Sequence, residues 1–196
     1  MKVILASKSA TRAQLLAGAG VAFEATSSGV DEDAAKQSLL AEGHGPRAIA
    51  DALAELKALK VSRRTSDLVI GADQTLDLDG VLFDKSDTID EARIVLRRLR
   101  GRRHLLHTAV VAAKEGAILW RAVVSPKIEM RDFSDAFLED YLTREGEAIL
   151  GSVGCYRLEG LGAQLFAKID GDHFAVLGLP LIELLGFLRN HGYLRA

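Results

Sequence analysis

The stretch LVIGADQTLDLDGVLFDK, residues 68 to 85, limits the fold more than any other. Its first five residues form a continuous apolar run, which predicts a strand covered on both faces and hence a sheet with layers above and below it. The run stops at Asp73, so an acid is predicted at the mouth of a buried strand, where α/β sheets present ligand-facing residues. A carboxylate there either ligates a cation such as Mg²⁺ or orients a water, or it is an ordinary strand-end acid. Asp79-Gly80, between TLDL and VLF, predicts a hairpin turn, and this accounts for Asp77 and Asp79 without invoking a ligand. Lys85 has two readings as well, a phosphate contact across the hairpin or a solvated surface lysine.

The rest of the chain alternates strands and helices. KVILA (2–6) predicts a short buried strand, and SKSATRAQLLAGAG a helix capped by Ser9, with Leu15 and Leu16 on its core face. VAFEAT (21–26) alternates like a second strand; residues 27–45 are polar and acidic, and GVDED (29–33) predicts a loop. PRAIADALAELKALKVSRR (46–64) predicts a helix with Pro46 in its first turn and Ile49, Leu53, Leu56 and Leu59 at helical spacing. A helix is predicted over 89–101, then two long strands joined at Glu115-Gly116, then a helix over 134–146 capped by Ser134. GLGAQLFAKIDGDHFAV predicts two further strands turning at Asp170-Gly171, and GLPLIELLGFLRNHG the closing helix. Hairpins and crossovers together give the α/β class with a mixed sheet, as a single domain over 1–196.

Composition sets the outer limits. The 196 residues are 48% hydrophobic, enough for a sizeable core, and the net charge of -2 argues against binding long nucleic acid. The one cysteine, Cys155, excludes an internal disulfide framework and reads as a small packed residue. No apolar stretch reaches membrane-spanning length, because Glu183 interrupts the best one, and MKVILASKS is too short a leader; a cytoplasmic protein is expected. The five histidines form no HxxxH or HExxH pair, and His104 and His107 fall on opposite faces of a predicted strand. The run RRLRGRR (97–103) reads as the solvated face of a helix or as a basic patch.

LASKSATR is a second chemical candidate. Ser7, Lys8, Ser9, Thr11 and Arg12 lie where a strand gives way to a helix, and unpaired amides at such a junction attract anions. The same residues also make an ordinary N-capped basic turn, and neither GxxxxGK[ST] nor GxGxxG is present.

Read together, these segments resemble the Maf family, also called septum formation proteins. LASKSATRAQLL looks like the family's LASxSPRRxxLL, and GADQTLDLDGVLFDK like ADTxVxxxGxxxxKP. VDED, ELKA, RLRGRRHLLHTAV, YRLEGLGAQLF and GDHFAVLGLPLIELL follow in the family's order. The resemblance implies an inosine-triphosphatase-like fold of two lobes around a cleft, usually as a homodimer. It implies a house-cleaning enzyme that cleaves a nucleoside triphosphate between the α and β phosphates, with Mg²⁺ or Mn²⁺. Matched position by position, Ser9, Arg12, Lys57 and Lys85 would bind substrate, Asp73 would be catalytic, and Glu32 would join Asp73 as a metal ligand.

Departures sharpen the expectation. SPRR is SATR here, KP is Lys85-Ser86, and the frequent DKAG is GSVG at 151–154. The missing Asp-Lys pair, Glu159-Gly160 in place of Q-G, and ADQ at 72–74 look like the 7-methyl-GTP branch. Glu159 then reads as a base-binding residue, since a carboxylate accepts from both N1–H and N2–H₂ of guanine; the alternative is a solvated strand-end glutamate. A pyrimidine-branch enzyme acting on dTTP or UTP, and a catalytically weakened nucleotide-binding regulator of division, are the competing expectations.

Overall fold

Fifteen elements follow one another in the computed structural model, which describes residues 2–195. They are β1 (Val3–Leu5), α1 (Ala10–Gly18), β2 (Glu24–Ala25), α2 (Glu32–Ala41), α3 (Pro46–Ser62), β3 (Leu68–Leu78), β4 (Val81–Phe83) and α4 (Ile89–Leu99). The chain continues through β5 (Arg103–Lys114), β6 (Ala117–Val124), β7 (Lys127–Met130), α5 (Asp135–Glu145), β8 (Phe166–Asp170), α6 (His173–Val176) and α7 (Leu181–Asn190). The strands make one mixed sheet in the order β2-β1-β3-β5-β7-β8, with β4 also on β3 and β6 also on β5. This is the expected α/β class with flanking helices.

β3 and β5 are the spine of the molecule. They pair antiparallel from Val69↔Ala113 to Asp77↔Leu105 and run through both lobes. In the first lobe, Leu68, Ile70, Ala72, Val110 and Ala112 face α1 and α7, while Ala109, Val111 and Ala113 face Ala50, Ala54 and Ala58 of α3. In the second lobe, Leu76, Leu78 and Leu106 pack with α4 and α5 through Leu96, Leu99, Leu138 and Tyr141. His104 is buried with this lobe, its Nε2 2.8 Å from the Tyr156 hydroxyl, and burial pushes its pKa down to about 4.

The far edge of β3 positions the cleft. β1 covers Leu68–Ile70 in parallel, and β4 covers Leu76–Leu78 antiparallel. Between them, residues 71–75 have no strand partner on that side among the described residues. The β3–β4 turn is the one predicted: Asp79 (φ 54°) and Gly80 (φ 84°) are both left-handed, as a type I′ turn requires.

Several expectations need correction. Asp73 does not end its strand, because β3 runs on to Leu78; what stops at residue 70 is its partner β1. Of GVDED, residues 29–31 are loop as expected, but Glu32 and Asp33 open the helix α2, which is not predicted from the sequence. Asp31 caps it by accepting from Ala34 N at 3.1 Å, and Glu32 and Asp33 suit the positive end of its dipole. α2 buries no residue fully, so the sequence carries no apolar period to betray it. On α3, Ile49 and Leu53 are buried as expected, but Leu56 is 41% exposed, and the buried stripe continues through Ala50, Ala54, Lys57 and Ala58. The predicted second long strand breaks at Ser125-Pro126 into β6 and β7, which share one register on β5 up to a bulge at Ala112/Ala113. After Gly160 there is one strand and not two: Leu161–Leu165 is a 3-10 turn, and Asp172 caps a short helix over His173–Val176. VAFEAT contributes only the pair Glu24–Ala25 to the sheet.

Gly71 is required by packing. A Cβ there would lie 2.3 Å from the Ala54 carbonyl oxygen and 2.6 Å from the Ala58 nitrogen. Both are helix backbone and cannot turn aside. Gly71→Ala is therefore expected to push α3 off the sheet and to lower stability by at least about 2–3 kcal/mol. The midpoint of urea unfolding measures this, and an unchanged midpoint would show that the helix can retreat without cost.

Candidate active site

Three side chains from three elements meet at the uncovered stretch of β3. Lys57 of α3 is 5% exposed, and its Nζ stands 2.6 Å from Asp73 Oδ1 and 2.8 Å from Glu32 Oε2. Asp73 is 7% exposed, and no donor among the described residues reaches its Oδ2. Glu32 sits at the start of α2 with about half its side chain in solvent. An acid–lysine–acid bridge of this kind neutralises a buried ammonium and leaves carboxylate oxygens facing the cleft.

Arg12 lies behind the bridge. Its Nε donates to the Gly178 carbonyl at 2.7 Å, and its Nη1 donates to the Ala72 carbonyl at 3.0 Å and to Ser7 Oγ at 3.3 Å. Nη2 has no hydrogen-bond partner among the described residues. Burial lowers the guanidinium's pKa, while the charges of Asp73 and Glu32 act the other way. Arg12 thus ties the start of α1 to β3 and to the turn before α7. Ser9 caps α1, its Oγ accepting from Arg12 N at 3.3 Å.

The remaining residues singled out by sequence do not join this cluster directly. Lys85 follows the hairpin but is exposed, with no hydrogen bond or ion pair among the described residues. Its neighbour Asp84 is held by Lys36 of α2. Glu159 lies on the other face of β3, with its carboxylate 3.6 Å from Arg157 Nε. There it lines a small cavity of about 60 Å³ with Thr11, Gln74, Ser152, Tyr156 and Val176.

Two residues without an assigned role stand out. Gln74 follows Asp73 and points to the opposite face. Its Nε2 is 2.8 Å from Thr108 Oγ1, 2.9 Å from Ala175 O and 3.2 Å from Val176 O. Two of these are carbonyls, and the Thr108 hydroxyl spends its own proton on Ala175 O, so the amide orientation is fixed. The Gln74 Oε1 is left as an acceptor for the cavity. The other residue is Lys36, four positions after Glu32 and hence on its side of α2. Only knowing that 32–41 is helical would have brought it to notice.

An acid–lysine–acid bridge at an uncovered strand edge, with a polar cavity on the strand's other face, marks the candidate site of this α/β protein. Residues 2–191 match the family model described as Maf-like protein, and the chain belongs to that family. It is 62% identical over 192 residues to a protein of Caulobacter vibrioides, covering 98% of this chain and 96% of the relative. It is 54% identical to one of Granulibacter bethesdensis, covering 97% and 98%, and 48% identical to one of Sphingopyxis alaskensis, covering 98% of each. Each of these relatives carries the name nucleoside triphosphate pyrophosphatase.

Because Arg12 makes three hydrogen bonds inside the protein, Arg12→Ala is expected to cost stability as well as any ligand contact. Losing charged hydrogen bonds at a part-buried site predicts a loss of about 2 kcal/mol or more, read from urea unfolding. Arg12→Lys should not restore it, since an ammonium cannot reproduce the planar fork. An Arg12→Ala protein of wild-type stability would reduce Arg12 to a ligand contact alone.

Proposed function

We propose that the protein hydrolyses a nucleoside triphosphate to the monophosphate and pyrophosphate at the Glu32–Lys57–Asp73 bridge. The observation that carries the reading is the Asp73 carboxylate, buried and held by Lys57 yet open at Oδ2 on the uncovered edge of β3. The family and the names of the relatives support it.

Among the described residues no three potential metal ligands gather into a protein cage. Magnesium is commonly held by one or two carboxylates together with substrate phosphates, and Glu32 and Asp73, already sharing one cation, fit that pattern. A divalent cation held there would supply neutralisation of phosphate oxygens and a more acidic bound water. The chain's own residues do the rest. Asp73 takes a proton from the attacking water, whose oxygen bonds to the α-phosphorus as the bridging P–O bond breaks and its electron pair leaves with pyrophosphate. Lys57 and Arg12 offset the charge of the phosphates. Lys85, exposed and without a protein partner among the described residues, is available to them.

The cavity on the other face of β3 is the base site in this reading. Its 60 Å³ holds water but not a nucleobase, so in this reading the wall formed by Ser152, Val153 and Gly154 has to give way for a base to enter. Two acceptors, Gln74 Oε1 and the Glu159 carboxylate, face a ligand there. They favour guanine, which offers N1–H and N2–H₂, over uracil or thymine, which offer one N–H between two carbonyls. A 7-methylated guanine is cationic and gains further from the carboxylate, which makes 7-methyl-GTP the preferred candidate.

A phosphate-release assay over a nucleotide panel with Mg²⁺ tests the reaction. Phosphate should appear only when inorganic pyrophosphatase is added as the coupling enzyme, and Asp73→Asn should abolish it. The variant should remain folded, losing less than the roughly 3–5 kcal/mol of an uncompensated buried charge, because Glu32 still meets Lys57. Release without the coupling enzyme, or no turnover across the panel, would overturn the reading.

Base choice is a separate expectation. Wild type should prefer 7-methyl-GTP to UTP and dTTP, and Glu159→Gln should narrow that preference by roughly 5- to 150-fold in relative kcat/KM. Competition kinetics on both proteins measure it. A base ranking that does not move would return Glu159 to an ion pair with Arg157 and nothing more.

A further inference from the structure

We propose that Lys36 is a leaving-group residue, which lets go of Asp84 to bind the pyrophosphate end of the substrate. The inference rests on the reading of the Asp73 site as a pyrophosphatase centre and extends it to a side chain that the reading does not use.

Lys36 lies one helical turn beyond Glu32, so α2 presents both toward the cleft. Its side chain is only 18% exposed, although α2 as a whole buries no residue fully. Its ammonium is held by Asp84, on the loop after β4, and lies 3.6 Å from Asp33. Burial works against the charge, but Asp84, Asp33 and Asp73 more than offset it and raise the pKa above 10.5. Lys36 is therefore a charged lysine one helical turn from the Glu32 end of the bridge, tethered to an acid that is 57% exposed. Exposed ion pairs are weak, so a polyanion can take the lysine from Asp84 at little cost.

Position selects which phosphates it meets. The base cavity lies on the face of β3 that carries Gln74, with α1 and α6 around it. Lys36 lies on the other side, where α2 packs on α3. A nucleotide with its base in the cavity and its α-phosphate at Asp73 crosses the uncovered edge at 71–75 and carries its β and γ phosphates on toward α2. Lys36 then neutralises charge that grows on the departing pyrophosphate as the P–O bond breaks, so it acts more on the transition state and on this product than on the monophosphate.

Product inhibition separates this role from a structural one. In Lys36→Met, inhibition by pyrophosphate should weaken about tenfold or more, while inhibition by the nucleoside monophosphate stays within twofold of wild type. The kcat should fall with it. Lys36→Arg should recover most of the pyrophosphate affinity, and Asp84→Asn, which frees the lysine, should hold or tighten it. Equal weakening toward both products, or unchanged pyrophosphate inhibition in Lys36→Met, would overturn the proposal while leaving the pyrophosphatase reading intact. A wild type that releases no pyrophosphate from any triphosphate would overturn both. Urea midpoints within error of wild type establish that the variants are folded.

Discussion

The contact between Gly71 and the backbone of α3 governs the molecule. With no side chain at 71, the Ala54 carbonyl and the Ala58 amide come closer to the strand than any other residue would allow. Ala50, Ala54 and Ala58 repeat every four residues and continue that close seam onto β5. The seam fixes the rotation of α3 about its own axis. Lys57, next to Ala58, is thereby aimed at Asp73, two residues after Gly71 on the same face of β3. The buried ion pair is thus placed by packing. Moving the helix outward by the width of one methyl group would leave an ammonium and a carboxylate stranded in the interior, where each is costly unless paired.

Much of this was legible in the residues. The apolar run at 68–72, the Asp79-Gly80 turn, the caps at Ser9 and Ser134 and the long helix over 46–64 each rest on local chemistry, and all appear in the structure. What stayed hidden depends on distant partners. α2 is stabilised by its Asp31 cap and by Lys57 reaching Glu32, neither of which leaves an apolar period. The true end of β3 is hidden for a similar reason: Asp73 looks terminal because its side chain is charged, yet its backbone continues the ladder with Ala109. His173–Val176 alternates plausibly as strand, but the two hydrogen bonds of Asp172 to Phe174 N and Ala175 N turn it into a helix.

The site divided along the same line. Asp73 is marked by its place after an apolar run, Glu32 and Lys57 only by family resemblance, and the three converge in space although they come from a strand middle, a helix start and a helix middle. Arg12 proved to be bonded on three sides to the fold itself. Gln74 is marked in the sequence only as a departure within ADQ, its direction depending on carbonyls a hundred residues away, and Lys36 carries no signal because it sits on an unsuspected helix.

The gap in the cover of β3 has a further consequence. A bare strand edge invites another chain to add itself and begin a stack, and proteins guard such edges with care. Here the bare stretch is five residues long and walled at one end by β1 and at the other by β4. One of its carbonyls, that of Ala72, is already taken by Arg12. A foreign strand finds no run long enough to zip along and no way past either wall, whereas a molecule a few atoms wide can lie in the opening. The edge is thus open to small ligands and closed to polypeptide, so the cleft carries little of the aggregation hazard of an uncovered strand.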